Sequence, residues 1–141
     1  MKLLLPVDGS EASSRALDHL IKKFAWYSKV SVDVHLLNVQ PALSRNVGSF
    51  VGRDAIAKYH QEAATKVLRR ATRRLDGAGI EFHTHIGVGD PAQTIAGYAK
   101  AQRCDLILMG TRGMGAVTNL VLGSVAMKVI HLTAVPVLLV K

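Results

Sequence analysis

The stretch that decides the fold is Leu106-Ile-Leu-Met-Gly-Thr-Arg-Gly-Met-Gly115, which is followed further along the chain by Gly123-Ser124. Glycines allow several backbone N–H groups to point into one concavity, because no Cβ stands in the way. The apolar pattern of Val125 to Leu132 predicts a short helix, whose start adds unpaired N–H groups and a positive dipole end. The pattern therefore predicts a strand, a loop and a helix that cradle a phosphate chain, although a tight turn alone could account for one or two glycines.

The opening of the chain predicts a second strand-turn-helix unit. Residues 2–7 have the apolar character of a short buried strand, with Pro6 near its end. In the turn Asp8-Gly9-Ser10, the serine can cap the following helix, and apolar residues recur on one helical face as far as Phe24. Strand one and its helix are thus defined by local signals.

Two further helices have clear signals in the sequence. From Arg53 to Leu75, apolar residues recur at helical spacing, and glycines follow the last turn. The segment from Asp90 to about Arg103 begins with an aspartate that can cap, a proline at the first helical position and Gln93, which can bond back. Together with the helix that starts near Gly123, the chain is predicted to contain four helices.

Strands and helices alternate along the whole sequence, which predicts a parallel sheet covered by helices on both faces. Ligands of such sheets bind beyond the carboxyl ends of the strands, where the strand order switches direction. If strands one and four are neighbours there, Asp8 and Gly110 both lie at the switch. We found no repeat or linker and predict one domain over residues 1–141. The four remaining strands are predicted at Val30 to Val39, Ile80 to Val88, Asp105 to Met109 and Val135 to Val140.

Composition limits the class of protein and its partners. No run approaches the about 20 apolar residues that cross a bilayer, and Asp8 interrupts the apolar start before it resembles a leader peptide; we expect a cytoplasmic protein without a membrane partner. The single cysteine, Cys104, excludes a disulfide within the chain. The net charge of +8 suits an anionic partner, but no aromatic residues interleave with the arginines of residues 69–74. We therefore favour a solvated helix face over a nucleic-acid surface.

Other site motifs are weaker than the glycine loop. The chain contains no Gly-Lys pair and hence no P-loop. The segment Gly87-Val-Gly-Asp-Pro-Ala92 matches the loose dinucleotide fingerprint, but Asp90 places a negative charge where a pyrophosphate would lie, and Pro91 removes a donor. His83 and His85 share one strand face and could seed a metal site. Two ligands without a third are weak evidence, so we expect ordinary strand residues and no metal ligands.

The order and spacing of several short segments resemble those of the universal stress protein family, in its ATP-binding branch. The glycine signature runs from Gly110 through Gly113 to Gly123-Ser124, and the resemblance covers almost the whole chain. It implies an open five-stranded parallel sheet of order 3-2-1-4-5, which is Rossmann-like and similar to the adenine-nucleotide alpha-hydrolase-like fold. It also implies a homodimer in which strand Val135 to Val140 pairs with its copy, and such pairing would protect an apolar edge. The other segments of the resemblance are Leu4-Leu-Pro-Val-Asp-Gly-Ser10, Gly89-Asp-Pro91, Leu122-Gly-Ser-Val-Ala126 and Val135-Pro-Val-Leu-Leu-Val140.

The resemblance also implies a role for individual residues. Asp8, beside Pro6 and Val7, would contact the adenosine, and Val39 would meet the adenine edge through its main chain. A divalent ion, usually Mg²⁺, would bridge the phosphate oxygens of ATP. The residues implied to hold ribose and phosphates are Gly110, Arg112, Gly113, Gly123, Ser124 and Val125.

Three functions follow from these observations. The first is a nucleotide-dependent regulatory or sensor protein of the stress response, with an unidentified protein partner and at most slow ATP hydrolysis. No His, Glu or Lys near the loop is an obvious base, and phosphoryl transfer needs several placed charges. The second is an ATP-using enzyme of the same fold, although Val7-Asp-Gly-Ser10 lacks the signatures of adenylating folds. The third is a basic nucleic-acid-binding module, and the choice among ATP, ADP and AMP stays open.

Overall fold

The computed structural model describes residues 1–27, 31–43, 52–111 and 122–141. Within these ranges, five strands and four helices follow one another in the predicted order. The elements are β1 (Lys2–Pro6), α1 (Glu11–Tyr27), β2 (Asp33–Gln40), α2 (Arg53–Gly77), β3 (Phe82–Val88), α3 (Pro91–Ala101), β4 (Leu106–Gly110), α4 (Ser124–Leu132) and β5 (Val137–Val140).

The predicted starts of β2, β3 and β5 were too early: β2 begins at Asp33 rather than at Val30, which lies outside the described residues. The N–H of Ile80 donates to the Leu75 carbonyl at 3.0 Å, so Ile80 closes the end of α2 and β3 starts at Phe82. The N–H of Val135 donates to Thr133 Oγ1 at 3.1 Å, and β5 starts only after Pro136, at Val137. Hydrogen bonds to the preceding segment therefore shift the starts of β3 and β5 to later residues.

The sheet has the order β3-β2-β1-β4-β5, and every pair of neighbouring strands is parallel. This confirms the fold expected from the resemblance. The chain builds outward from β1 through β2 to β3, then returns to the other side of β1 and builds outward again. The strand order therefore switches between β1 and β4, and both strands deliver their carboxyl ends to that point.

Helices cover both faces of the sheet, and this explains the uninterrupted apolar run of β1. Leu3, Leu4 and Leu5 are each fully buried, although successive side chains of a strand point to opposite faces. Leu3 and Leu5 belong to the cluster formed with α1 and α2, and Leu4 belongs to the cluster formed with α3 and α4. Burial of each such side chain contributes about 1.5–3 kcal/mol.

Helix α2 separates its apolar and basic residues. His60, Ala64, Leu68, Ala71 and Leu75 are buried, whereas Arg69, Arg70 and Arg73 are exposed. The guanidinium of Arg74 pairs with the carboxylate of Asp18 on α1. None of the helices in the described ranges is long and apolar enough to cross a membrane.

Candidate functional site

The turn between β1 and α1 places a carboxylate at the end of the central strand. Gly9 has a φ of +83°, in the left-handed region, and the Ser10 N–H donates to Asp8 Oδ1 at 2.9 Å. Ser10 Oγ in turn accepts from the Ser13 N–H at 3.1 Å, so Ser10 is the N-cap that the sequence predicted. Asp8 is thereby fixed in orientation and still exposed to solvent.

The pairing of β1 with β4 stops before the carboxyl ends of the two strands. The two strands pair over Leu3 with Leu106 and Leu4 with Ile107, while β4 continues to Gly110. Pro6, the last residue of β1, has no N–H with which to extend this pairing. The predicted residue Pro6 therefore lies at the switch point, where the two central strands part.

Gly110 ends β4 against the first turn of α1. A Cβ at this position would lie 2.5 Å from the backbone carbon and oxygen of Ala12, which is far closer than any side-chain carbon tolerates. Gly110 is therefore required for the packing of α1 on β4, whether or not a ligand is bound. The same contact brings the start of α1 to the end of the sheet where Asp8 lies.

The start of α4 is fixed to the same end of the sheet. The Thr111 N–H donates to the Val140 carbonyl at 3.0 Å, and the Gly123 N–H donates to the Thr111 carbonyl at 2.6 Å. The first helical hydrogen bond joins the Met127 N–H to the Gly123 carbonyl at 3.0 Å. The N–H groups of residues 124–126 precede this bond, as in the first turn of any helix, and form a positive dipole end.

Two of the residues predicted to contact phosphates fall between these fixed points. Arg112 and Gly113 lie outside the described residues. Of the predicted residues on the far side of the loop, Ser124 is exposed and Val125 is half-buried. The described part of the predicted phosphate-binding loop therefore consists of its two ends, at Thr111 and Gly123.

The end of β2 turns a pair of backbone groups toward this region. The Leu37 carbonyl accepts from the Val7 N–H of β1 at 2.8 Å, and the Gln40 carbonyl accepts from the Gly89 N–H beyond β3 at 2.9 Å. Because successive residues of a strand address opposite neighbours, the N–H and C=O of Val39 face the β1 side. Val39 therefore extends just past the last rung between β1 and β2.

A polar cluster that the sequence did not predict lies at the amino ends of β2 and β3. His35 Nε2 is 3.0 Å from Asp33 Oδ2, although it is not aligned for a good hydrogen bond, and His83 Nε2 is 3.5 Å from Asp33 Oδ1. The His85 ring stacks on His35 at 5.0 Å between centroids, and Tyr98 Oη is 2.8 Å from His35 Nδ1. We refer to these five residues as the histidine cluster.

The histidine cluster has shifted titration behaviour. The contact with His35 holds the pKa of Asp33 below its ordinary value, and burial lowers the pKa of His85. Burial also raises the pKa of Tyr98 to about 12. Within the described ranges, no three or more His, Cys, Asp or Glu residues are arranged to hold a metal ion.

This chain is similar to known proteins along its whole length. The model of the universal stress protein family matches residues 1–141. A universal stress protein of Thermus aquaticus is 51% identical to this chain over 144 residues, which are 99% of this chain and 97% of that protein. Both matches extend over strands β1 to β5 rather than over the glycine loop alone.

Solved structures agree with the observed architecture. The structure of MJ0577 from Methanocaldococcus jannaschii superposes with a TM-score of 0.83 at 30% identity, covering 99% of this chain and 94% of that chain. A universal stress protein solved in complex with cAMP has a TM-score of 0.73 at 22% identity and covers 100% and 97% of the two chains. A family member from Arabidopsis thaliana solved with AMP bound has a TM-score of 0.70 at 19% identity, with 100% and 91% covered.

Proposed function

Because this chain belongs to the universal stress protein family, we propose that it binds an adenine nucleotide beyond the carboxyl ends of β1, β2 and β4. The observation that carries the proposal is the convergence of three chemically distinct groups on one end of the sheet. These are the oriented carboxylate of Asp8, the backbone pair of Val39 and the start of α4 at Gly123. Relatives solved with cAMP and AMP support an adenine nucleotide as the ligand.

Each group suits a different part of a nucleotide. The exposed carboxylate of Asp8 can accept hydrogen bonds from ribose hydroxyls, while the N–H and C=O of Val39 can meet the edge of a base. The first-turn N–H groups of Ser124 and Val125 favour phosphate oxygens, since anions are stabilised at a helix start. Arg112 and Gly113 complete the proposed phosphate side on sequence grounds alone.

We further propose ATP as the ligand, with Mg²⁺ bridging its phosphate oxygens. The connection from Gly110 to Gly123 is long enough to surround more than one phosphate, and its four glycines include Gly113 and Gly115. Phosphoryl transfer requires several placed charges, whereas the three groups named above supply one carboxylate, that of Asp8 in the turn after β1. A protein that holds ATP, hydrolyses it slowly if at all and signals its occupancy to a partner in the cytoplasm fits these groups better than an enzyme does.

We also propose a homodimer through β5. This strand lies at the edge of the sheet and exposes 37% of Leu138, and Met127, Ile130 and Leu132 of the preceding helix are exposed as well. An unpaired apolar edge strand is a hazard in solution. Antiparallel pairing with a second copy would cover the edge and part of the apolar surface of α4.

Isothermal titration calorimetry with and without Mg²⁺ tests the proposed nucleotide. We expect saturable binding of ATP and weaker binding of AMP, because the phosphate contacts add to the base contacts. GTP should also bind more weakly than ATP, because guanine presents a different base edge. Acid denaturation of freshly purified protein, followed by chromatography of the released material, gives an independent test for retained adenine nucleotide. Absence of binding to every adenine nucleotide, together with absence of retained nucleotide, would overturn the proposal.

A further inference from the structure

The hydrogen-bond ladder between β1 and β2 has a regular order. The Asp33 N–H donates to the Met1 carbonyl at 2.9 Å, and at the other end the Val7 N–H donates to the Leu37 carbonyl at 2.8 Å. The register of the parallel pair is constant from Lys2 with Asp33 to Pro6 with Leu37. Continued by one step, this order would join the Val39 N–H to the carbonyl of Val7.

A side chain replaces the expected backbone donor at that step. Asn38 Nδ2 donates to the Val7 carbonyl at 2.7 Å, and Asn38 is only 1% exposed. Its other amide atom, Oδ1, accepts from Gln40 Nε2 at 2.6 Å. The Val7 carbonyl needs a donor, which the Asn38 Nδ2 group supplies, and the Gln40 amide supplies a donor to Asn38 Oδ1. The two bonds together fix Nδ2 as the amide atom of Asn38 that points to Val7.

We infer that Asn38 is a positioning residue for base recognition: its side chain occupies the Val7 carbonyl and so leaves the Val39 N–H, which stands beside the Val39 C=O, for a ligand. The inference rests on the proposed nucleotide site and identifies what keeps the backbone of β2 available there. Without the Asn38 amide, the Val39 N–H would be the nearest donor in register for the carbonyl of Val7. That N–H would then be bonded within the sheet and lost to a ligand.

The N–H and C=O of Val39 together favour adenine over other purines. Adenine presents an acceptor, N1, beside a donor, the N6 amino group, and these complement the N–H and C=O of Val39. Hypoxanthine presents a donor, N1–H, beside an acceptor, O6, so both contacts would be reversed. A site that pairs with a base edge discriminates strongly against a ligand that leaves its polar groups unpaired.

The test compares ATP with inosine triphosphate in three variants. For Asn38→Ala we expect ATP affinity to fall about tenfold, the usual cost of one lost neutral hydrogen bond, with the weak affinity for inosine triphosphate unchanged. Gln40→Ala is the matched control, since it removes a neighbouring bond but keeps the donor to Val7, and it should retain the ATP preference. Asn38→His should retain it too, because Nδ1 stands as many bonds from Cα as Nδ2 does.

Amide hydrogen exchange followed by NMR gives a readout that a merely structural role would not move. In the free wild type, the Val39 amide should exchange faster than the Leu37 amide, and in free Asn38→Ala it should become protected as it joins the ladder. Thermal unfolding of each variant reports folding. If wild type binds ATP but Asn38→Ala keeps its preference and Val39 exchange, the inference fails and the nucleotide site stands. If wild type binds no nucleotide, both fail.

Discussion

The two ends of the sheet differ in whether their polar side chains bond to one another or stay exposed to solvent. At the amino end, Asp33 contacts both His35 and His83, and the Lys2 N–H donates to Asp105 Oδ2 at 2.6 Å. At the carboxyl end, Asp8 is oriented by a single short turn and stays exposed. The titratable side chains at the amino end therefore bond to one another, whereas the carboxylate of Asp8 at the carboxyl end stays open to solvent.

This difference follows from the direction of the chain. In a strand-helix-strand unit the helix starts near the carboxyl end of the preceding strand, so unpaired N–H groups collect there. Helix α4 brings such a start to Gly123, and Ser10 caps α1 beside Asp8. The amino ends of the strands meet helix ends instead, and side chains must satisfy the polar groups. Backbone geometry, more than residue type, decides which end can bind an anion.

The largest effect is expected where the carboxyl end is packed most tightly. In Gly110→Val, the added carbons collide with the backbone of Ala12, and overpacking of this kind costs about 3 kcal/mol or more of unfolding free energy. Urea denaturation measures it. Gly97→Ala in α3 is the matched control, since nothing lies within 4 Å of its added Cβ, and it should be neutral or stabilising. Equal stability of the two variants would contradict the packing of α1 on β4.

The next effect separates ligand binding from folding at the start of α4. In Ser124→Asp, the new carboxylate should stabilise the helix slightly and repel phosphate, so we expect ATP affinity to fall by about 10- to 100-fold, or 1.4–2.7 kcal/mol. Calorimetry and thermal unfolding together measure both quantities. Ser124→Ala serves as the control and should weaken binding only a few-fold. Unchanged ATP affinity in Ser124→Asp would place the phosphates elsewhere.

The third prediction concerns the proposed dimer, which would form through the edge strand β5 and not through either end of the sheet. Val137→Lys places a charge on the edge strand, which discourages pairing with another sheet, and should shift the protein toward monomer in sedimentation velocity. Lys141→Ala, at the end of the same segment, should leave the sedimentation coefficient unchanged. A wild type that is already monomeric at micromolar concentration would refute the dimer.

The smallest effect concerns acid sensitivity of the amino end. Because burial lowers the pKa of His85, the unfolded chain takes up its proton first as pH falls. The His85 contribution is therefore complete above the unfolded pKa of about 6.5 and is progressively lost below it. The titratable groups that act on His85 are Lys2, Asp33, His35 and His83, so the effect of His85 is measured as a difference in slope between variant and wild type. Urea unfolding between pH 5 and 8 should be less pH-dependent in His85→Gln, and equal slopes would rule out this contribution.

Local signals predicted the elements well, and contacts across the sheet could not be predicted. The helix cap at Asp90 was foreseen, and its Oδ1 does accept from the Gln93 N–H at 3.0 Å. The pairing of His35 with His83 depends on the register of β2 with β3, which the single sequence does not specify. For the same reason the sequence suggested ordinary strand residues at His83 and His85, whereas they join the histidine cluster.

The candidate site was predicted unevenly for a related reason. Asp8 and Gly123 follow from a strand end and a helix start, which are local features, whereas Val39 was implied by the family resemblance. The structure brings all three to one end of the sheet. The packing role of Gly110 against Ala12 depends on how α1 lies on β4. The hydrogen bond from Asn38 to Val7 depends on the exact end of a ladder. Neither has a signal in the spacing of residues.

The most direct test of the central claim is to titrate the ¹⁵N-labelled protein with ATP and Mg²⁺ and to follow the backbone amide shifts. If the carboxyl end of the sheet holds the nucleotide, the amides of Val39, Gly123, Ser124 and Val125 should shift together with one saturation curve. The amide signals of His83 and His85 should keep their chemical shifts. Shifts confined to the histidine cluster, or no saturable shift at millimolar ATP, would contradict the account.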